Sequence, residues 1–210
     1  MLITVPLSFI VIGPISTWIA SLIGYVFQAT YNISPTLFGA ILSGFWQILV
    51  MFGLHWSVVP IGLIQLAEEG ATPIFAFSGL TSFAVLGVLL AVLVKTKDKK
   101  LKGLSIPASV SALFGITEPA LYGILLPVRR TFINALIASA IGGAYTGYFN
   151  VVAYRLGGSG IFALPSYIPD SGEINANFWH RIITFVLVTA IGFILTMMTD
   201  ISKAKTHKKA

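Results

Sequence analysis

The chain has 210 residues, of which 56% are hydrophobic and 10% charged, with a formal net charge of +6 and a mean hydropathy of +0.91. A water-soluble domain carries about 25% charged residues, so this composition excludes an ordinary soluble fold and indicates an integral membrane protein. The absence of cysteine excludes a disulfide framework, a thiolate metal site and a thiol intermediate carried by the chain itself.

The first apolar stretch, residues 5–29, follows Met1 with no basic leader and no small-residue cleavage site, so it reads as a membrane span and not as a signal peptide. Residues 1–67 contain no Asp, Glu, Lys or Arg. The second stretch, 36–65, carries His55 and Trp56, with Gly53 and Pro60 loosening the helix around them. A lone membrane histidine serves equally as a packing residue that donates to a carbonyl or as a ligand. Trp56 offers an aromatic face with a polar N–H, suited to stacking on a sugar and equally to an interface belt. A third span, 73–94, ends at the basic loop 95–102.

Residues 104–128 are apolar but hold Glu118, within Gly115-Ile116-Thr117-Glu118-Pro119. An ionised carboxylate at the bilayer centre costs about 2.5 to 3.5 kcal/mol or more. Glu118 therefore requires water, a polar substrate or a proton, and is the first candidate functional residue. Pro107, Gly115, Pro119 and Gly123 predict a broken or re-entrant segment, tolerated at membrane depth where it lines a cavity or is buried in protein. Thr117 adds a hydroxyl to the site or bonds its own backbone. Further spans follow at 133–154, where Gly142 and Gly143 suit close helix packing, and at 178–198. The connection 155–177, rich in Gly, Pro and Ser, is open between a loop and a second short hairpin. Gln47, Asn134 and Asn150 read as hydrogen-bond glue between helices in preference to ligands.

Most of the basic residues cluster at 95–102, at Arg129 and Arg130, and in the tail 203–210, each cluster beside an apolar segment. That is the positive-inside pattern and not a nucleic-acid surface. If 104–128 dips in and returns, all these clusters and the C-terminus share the cytoplasmic face; a full crossing would divide them. The expected fold is an all-α integral membrane protein with about five transmembrane helices plus a re-entrant or broken segment carrying Glu118.

A carboxylate and an imidazole in separate interrupted segments can together hold a polyol and take a proton from a hydroxyl. A proton-coupled secondary transporter would use the same pair. No metal site and no bound cofactor are expected.

The strings GITEPALYG at 115–123 and FGLHWSVVPI at 52–61 are joined by VPLSFIVIGP at 5–14, KTKDKKLK at 95–102 and GIFALPSYIP at 160–169. In that order they resemble the membrane IIC component of the bacterial phosphoenolpyruvate-dependent sugar phosphotransferase system, in its glucose superfamily and nearest its β-glucoside-specific permeases. The resemblance covers nearly the whole chain. It implies a transporter that couples sugar translocation to phosphorylation at the sugar 6-hydroxyl. The phosphoryl group would come from phosphoenolpyruvate through partner proteins and arrive on a IIB phosphocysteine. Glu118 and His55 are then implied as catalytic and sugar-contacting residues, while Thr117 and Trp56 are candidate substrate contacts from their own side-chain chemistry. The implied substrate is a β-glucoside such as an aryl-glucoside or a cellobiose-like sugar, with sucrose or trehalose among relatives. The implied partners are IIB and IIA domains, with no nucleic acid, and the implied location is the bacterial cytoplasmic membrane. A full IIC component has further helices before the position resembled by Met1, which build its dimer interface. Residues 1–202 are thus expected to be the C-terminal, substrate-binding part, dimeric only with its N-terminal half. The alternatives are an incomplete fragment without independent activity and the proton-coupled transporter.

Overall fold

The computed structural model describes residues 29–201 together with Trp18, Tyr25 and Phe27. The expected span 5–29 and the tail 203–210 otherwise lie outside the described residues. Among the described residues every regular element is helical and no strand forms. One extended pair, Thr72 and Ala153, exchanges two backbone hydrogen bonds of 2.9 Å.

Helix α1 (Pro35–Met51) begins where Ser34 accepts from the Leu37 N–H at 3.2 Å and Pro35 occupies a position that needs no donor. A 3₁₀ turn, Leu54–Ser57, leads into α2 (Val59–Glu69). Helices α3 (Ile74–Ser78) and α4 (Leu80–Lys95) are nearly continuous, parted at Gly79. Helix α5 (Lys99–Leu113) is capped by Asp98, whose carboxylate accepts from Lys100 N–H at 2.8 Å. A single turn, Glu118–Ala120, widens into a π turn, Leu121–Leu125. Helix α6 (Arg129–Tyr148), a 3₁₀ helix Gly160–Tyr167 and α7 (Ala176–Met198) complete the chain.

Among the described residues two helices are long and apolar enough to cross a membrane, Ile74–Lys95 and Ala176–Met198. A third qualifies if Pro35–Met51 and Leu54–Glu69, bent by 120°, count as one span. The stretch expected as a single span over 36–65 is therefore folded over at its middle. Gly53 adopts φ 71°, open to glycine without strain, and Pro60 lacks the N–H that would continue the preceding turn. Of the four breakers in 104–128, Pro107 does not interrupt a helix. Helix α5 runs through it, and the carbonyl that proline leaves free belongs to the exposed Gly103. The chain breaks instead at 114–117, where Gly115 has φ 89°.

The core joins the two sides of that break. Ala108 and Ala112 before it and Ala120, Leu121, Ile124 and Leu125 after it share one buried cluster with Val85, Val88, Leu89 and Val92 of α4. Helices α1 and α6 approach until Gly39 and Gly143 touch backbone to backbone. Such small-residue contacts replace the hydrophobic drive that lipid cannot supply. Polar side chains then fasten the helices. Ser43 donates to the Phe77 carbonyl at 3.0 Å, Asn134 donates to Thr196 and Thr199 at 3.2 and 3.0 Å, and Lys95 donates to the Met197 and Thr199 carbonyls at 2.6 and 2.7 Å.

Candidate functional site

The interruptions of the helices face one another across a cavity of about 380 Å³, within the size range of small-molecule sites. Its lining includes Trp46, Gln47, His55 and Trp56 from the α1–α2 bend, Gly115, Thr117 and Glu118 from the second break, and Arg155 with Gly157 to Gly160 from the connection after α6. All four residues singled out in the sequence, Glu118, His55, Thr117 and Trp56, line this one space.

The bend positions His55 on its 3₁₀ turn, between the rings of Trp46 and Trp56 at centroid distances of 6.1 and 5.4 Å. Its Nδ1 is buried and has no hydrogen-bond partner. Trp56 is 69% exposed, so its ring is available to a ligand. The second break ends as Leu121 N–H donates to the Thr117 carbonyl at 2.8 Å, starting the turn that carries Glu118. Pro119 directly after Glu118 lies in the first turn, where its missing N–H is harmless. Glu118 is exposed and forms no hydrogen bond or ion pair among the described residues. Thr117 is buried and paired with Gln47, with Oγ1 lying 3.3 Å from Nε2 and 3.4 Å from Oε1. The amide thus ties α1 to the Glu118 turn across the cavity wall.

The third contributor is fixed by contact between two glycines. A Cβ on Gly115 would lie 2.5 Å from the Gly160 nitrogen, and one on Gly160 would lie 2.5 Å from the Gly115 nitrogen. Gly160 also has a positive φ of 60°. Asn177 at the start of α7 holds this connection from behind: Val152 N–H donates to its Oδ1 at 2.9 Å, and its Nδ2 donates to the Val152 and Tyr167 carbonyls at 2.9 and 3.0 Å. Arg155 donates to Asp170 at 2.8 Å on the exposed side of the cavity.

A fourth wall, at the α3–α4 interruption, was not anticipated. Phe75, Ser78, Gly79, Thr81 and Ser82 line the cavity there, together with Tyr167. Behind it Arg181, fully buried, donates from Nη1 to the Ala76 carbonyl at 2.5 Å, and its guanidinium carbon lies 4.4 Å from the Tyr167 ring and 4.3 Å from that of Phe185. No spacing in the apolar stretch 73–94 marks its hydroxyls as more than helix-bonded serines and threonines. Gln47, read from sequence as glue, is both glue and cavity lining. Asn134 lies in the helix bundle, bonded to Thr196 and Thr199, and does not line the cavity. Among the described residues no group of three or more His, Cys, Asp or Glu side chains could hold a metal ion.

Chemically the cavity offers an unpartnered carboxylate, an unpartnered imidazole nitrogen, several hydroxyls and broad aromatic faces. Those suit a neutral polyhydroxylated ligand, with hydroxyls on its edges and C–H groups on its faces.

The profile of the family described as "Phosphotransferase system, EIIC" matches residues 1–139. The "PTS system beta-glucoside-specific EIIBCA component" of Halalkalibacterium halodurans is 48% identical over 183 residues, covering 87% of this chain and 29% of that protein. The protein of the same name from Dickeya chrysanthemi is 35% identical over 210 residues, covering 100% of this chain and 33% of that one. The "PTS system sucrose-specific EIIBC component" of Vibrio alginolyticus is 35% identical over 208 residues, covering 97% of this chain and 42% of the relative. The chain thus spans about a third of the length of the first two curated relatives it matches. No solved structure matches it.

Proposed function

Because the chain belongs to the EIIC family of phosphotransferase-system membrane components, we propose that it binds a β-glucoside-type sugar in this cavity and presents the sugar 6-hydroxyl to a phosphocysteine on a IIB partner. The observation that carries this reading is the convergence of Glu118, His55, Thr117 and Trp56, from two separate interruptions, on one cavity of small-molecule size. The similarity to β-glucoside-specific and sucrose-specific relatives supports the substrate class.

In the proposed reaction the bond from the sugar O6 to phosphorus forms as the sulfur–phosphorus bond of the IIB phosphocysteine breaks, leaving a thiolate on IIB. Glu118, the carboxylate with no other partner, accepts the hydroxyl proton. His55 Nδ1 holds a neighbouring hydroxyl, the Trp56 ring stacks on the sugar face, and the Thr117 hydroxyl, fixed by Gln47, sets the position of the Glu118 turn. A loose phosphoryl-transfer transition state leaves modest work for a base, so positioning of the two reactants supplies much of the rate. The chain holds no phosphorylated residue and no cofactor in this reading.

The segment 104–128 is read as entering and leaving the membrane from the cytoplasmic side, with Arg129 and Arg130 returning to the face of the 95–102 loop. Its interruption at 114–117 and the contact of Gly115 with Gly160 support a pair of facing hairpins, the second formed within 155–177. The partners are IIB and IIA domains, which the names of the relatives place in fusions with their own EIIC, and the remainder of an EIIC unit that would complete a homodimer. The location is the bacterial inner membrane with a cytoplasmic C-terminus.

The test is uptake of a radiolabelled aryl β-glucoside by vesicles supplied with phosphoenolpyruvate, the soluble phosphotransferase proteins and a matching IIB domain. The expected product is sugar phosphate alone, lost in Glu118→Gln. Unmodified sugar driven by a pH gradient would replace this reading with proton-coupled transport.

A further inference from the structure

The α3–α4 interruption carries a feature that the proposed chemistry does not use. Thr81 is 2% exposed, lines the cavity, and its Oγ1 has no hydrogen-bond partner. The ordinary outlet of a helical threonine is the carbonyl four residues back. Here that carbonyl belongs to Phe77 and already accepts from Ser43 at 3.0 Å. Ser139 and Thr146 are also buried without partners, but neither lines the cavity. The serines on either side differ from Thr81. Ser78 donates to the Phe75 carbonyl at 3.3 Å and Ser82 to the Gly79 carbonyl at 3.2 Å, so each has only lone pairs left to offer a ligand.

The wall is braced from behind. Arg181 donates to the Ala76 carbonyl, and Tyr167 donates to the Phe75 carbonyl at 3.2 Å. Gly79 leaves the guanidinium its space: a Cβ there would lie 2.7 Å from Arg181 Nη2. A hydroxyl with both donor and acceptor capacity is thus held on a fixed surface, in a cavity that Phe75 and Tyr167 also line. That is the arrangement of a specificity contact, because a buried polar group built to meet a ligand hydroxyl rejects the ligand that lacks it.

We infer that the α3–α4 interruption is a second sugar-reading wall, in which the Thr81 hydroxyl pairs with a ring hydroxyl of the glycoside other than the one presented for phosphorylation. The ligand class is a neutral sugar, since the wall offers hydroxyls and no ionised group of its own. This inference rests on the sugar-binding reading of the cavity.

The test is equilibrium binding of phenyl β-glucoside and its monodeoxy series to membrane vesicles containing the full chain, which needs no IIB partner. Wild type is expected to bind one deoxy analogue about tenfold more weakly than the parent. Thr81→Val is expected to bind the parent about tenfold more weakly and to lose discrimination at that one position, and Thr81→Ser to recover both. Wild-type affinity and an unchanged deoxy pattern in Thr81→Val overturn the inference while leaving the Glu118 site standing. Equal loss for every analogue in both variants marks a packing role and also overturns it. No binding of any member by wild type overturns this inference and the sugar-site reading together.

Discussion

The α1–α6 contact and the wall of the cavity draw on the same residue types, glycine, serine and threonine, and put them to different use. Between α1 and α6 the glycines at 39 and 143 let two backbones touch, and the Ser43 hydroxyl donates to Phe77. Around the cavity Gly53, Gly115 and Gly160 adopt positive φ at helix boundaries, and polar atoms of His55 and Thr81 are left without protein partners. In lipid a helix packs through small residues and internal hydrogen bonds, whereas irregular backbone survives where it lines a cavity or is buried in protein. The difference therefore lies chiefly in backbone conformation, since the composition is shared and Ser139 and Thr146 of α6 are also buried without partners.

The sharpest way to separate the two regions is a pair of substitutions with opposite signatures. Glu118→Gln is expected to lower sugar-phosphate formation at least about 100-fold, through loss of a positioning contact to the sugar together with its proton acceptor, with extraction and thermal unfolding in detergent unchanged. Gly143→Val is expected to do the reverse. Its Cβ meets the Gly39 carbonyl, and overpacking of about 1 to 3 kcal/mol or more should prevent recovery of a monodisperse protein. If Gly143→Val were extracted normally and failed only in sugar binding, the contrast between scaffold and site would not hold.

A middle case is the Gln47–Thr117 pair, which belongs to both regions. Gln47→Leu removes the partner of a buried hydroxyl, a change worth about 1 to 3 kcal/mol of stability. Because Thr117 precedes Glu118, sugar binding should weaken several-fold as well. Thermal unfolding with and without the glycoside reads both effects. A loss of stability with unaltered binding would place the pair wholly in the scaffold.

This pair also marks what the sequence made legible. The breakers around Glu118 and those flanking His55 were visible because glycine, proline and an ionisable residue inside an apolar run conflict with an uninterrupted span. Gly142 and Gly143 were visible as packing residues for the same reason of composition. The bend angle of 120° between α1 and the segment from Leu54 was not, since Gly53 and Pro60 permit a kink without setting its size. Nor was the passage of α5 through Pro107, which depends on the exposure of Gly103. Arg181 near the start of the expected span 178–198 has the pattern of an interfacial anchor, yet it is fully buried over the rings of Tyr167 and Phe185. Its partners, like the Thr117 that pairs with Gln47, come from distant segments, and no local pattern encodes them.

The smallest expected effect tests where the site ends. Arg155 lines the cavity, but its side chain is 49% exposed and its partner Asp170 is 93% exposed. A pair so open to solvent contributes about 0 to 1 kcal/mol and is screened by salt. Its second contact, to the Ile168 carbonyl at 3.3 Å, is long and equally exposed. Arg155→Ala should therefore leave thermal unfolding within about 1 kcal/mol of wild type, with the difference vanishing at high ionic strength. Sugar binding should also be nearly unchanged, because in the proposed site the ligand is selected by the buried, unpartnered His55 Nδ1 and Thr81 Oγ1. A tenfold loss of binding in Arg155→Ala, with unfolding unaltered, would instead make this exposed arginine a sugar contact. The division between scaffold and site would then have to extend outward to the 155–177 connection.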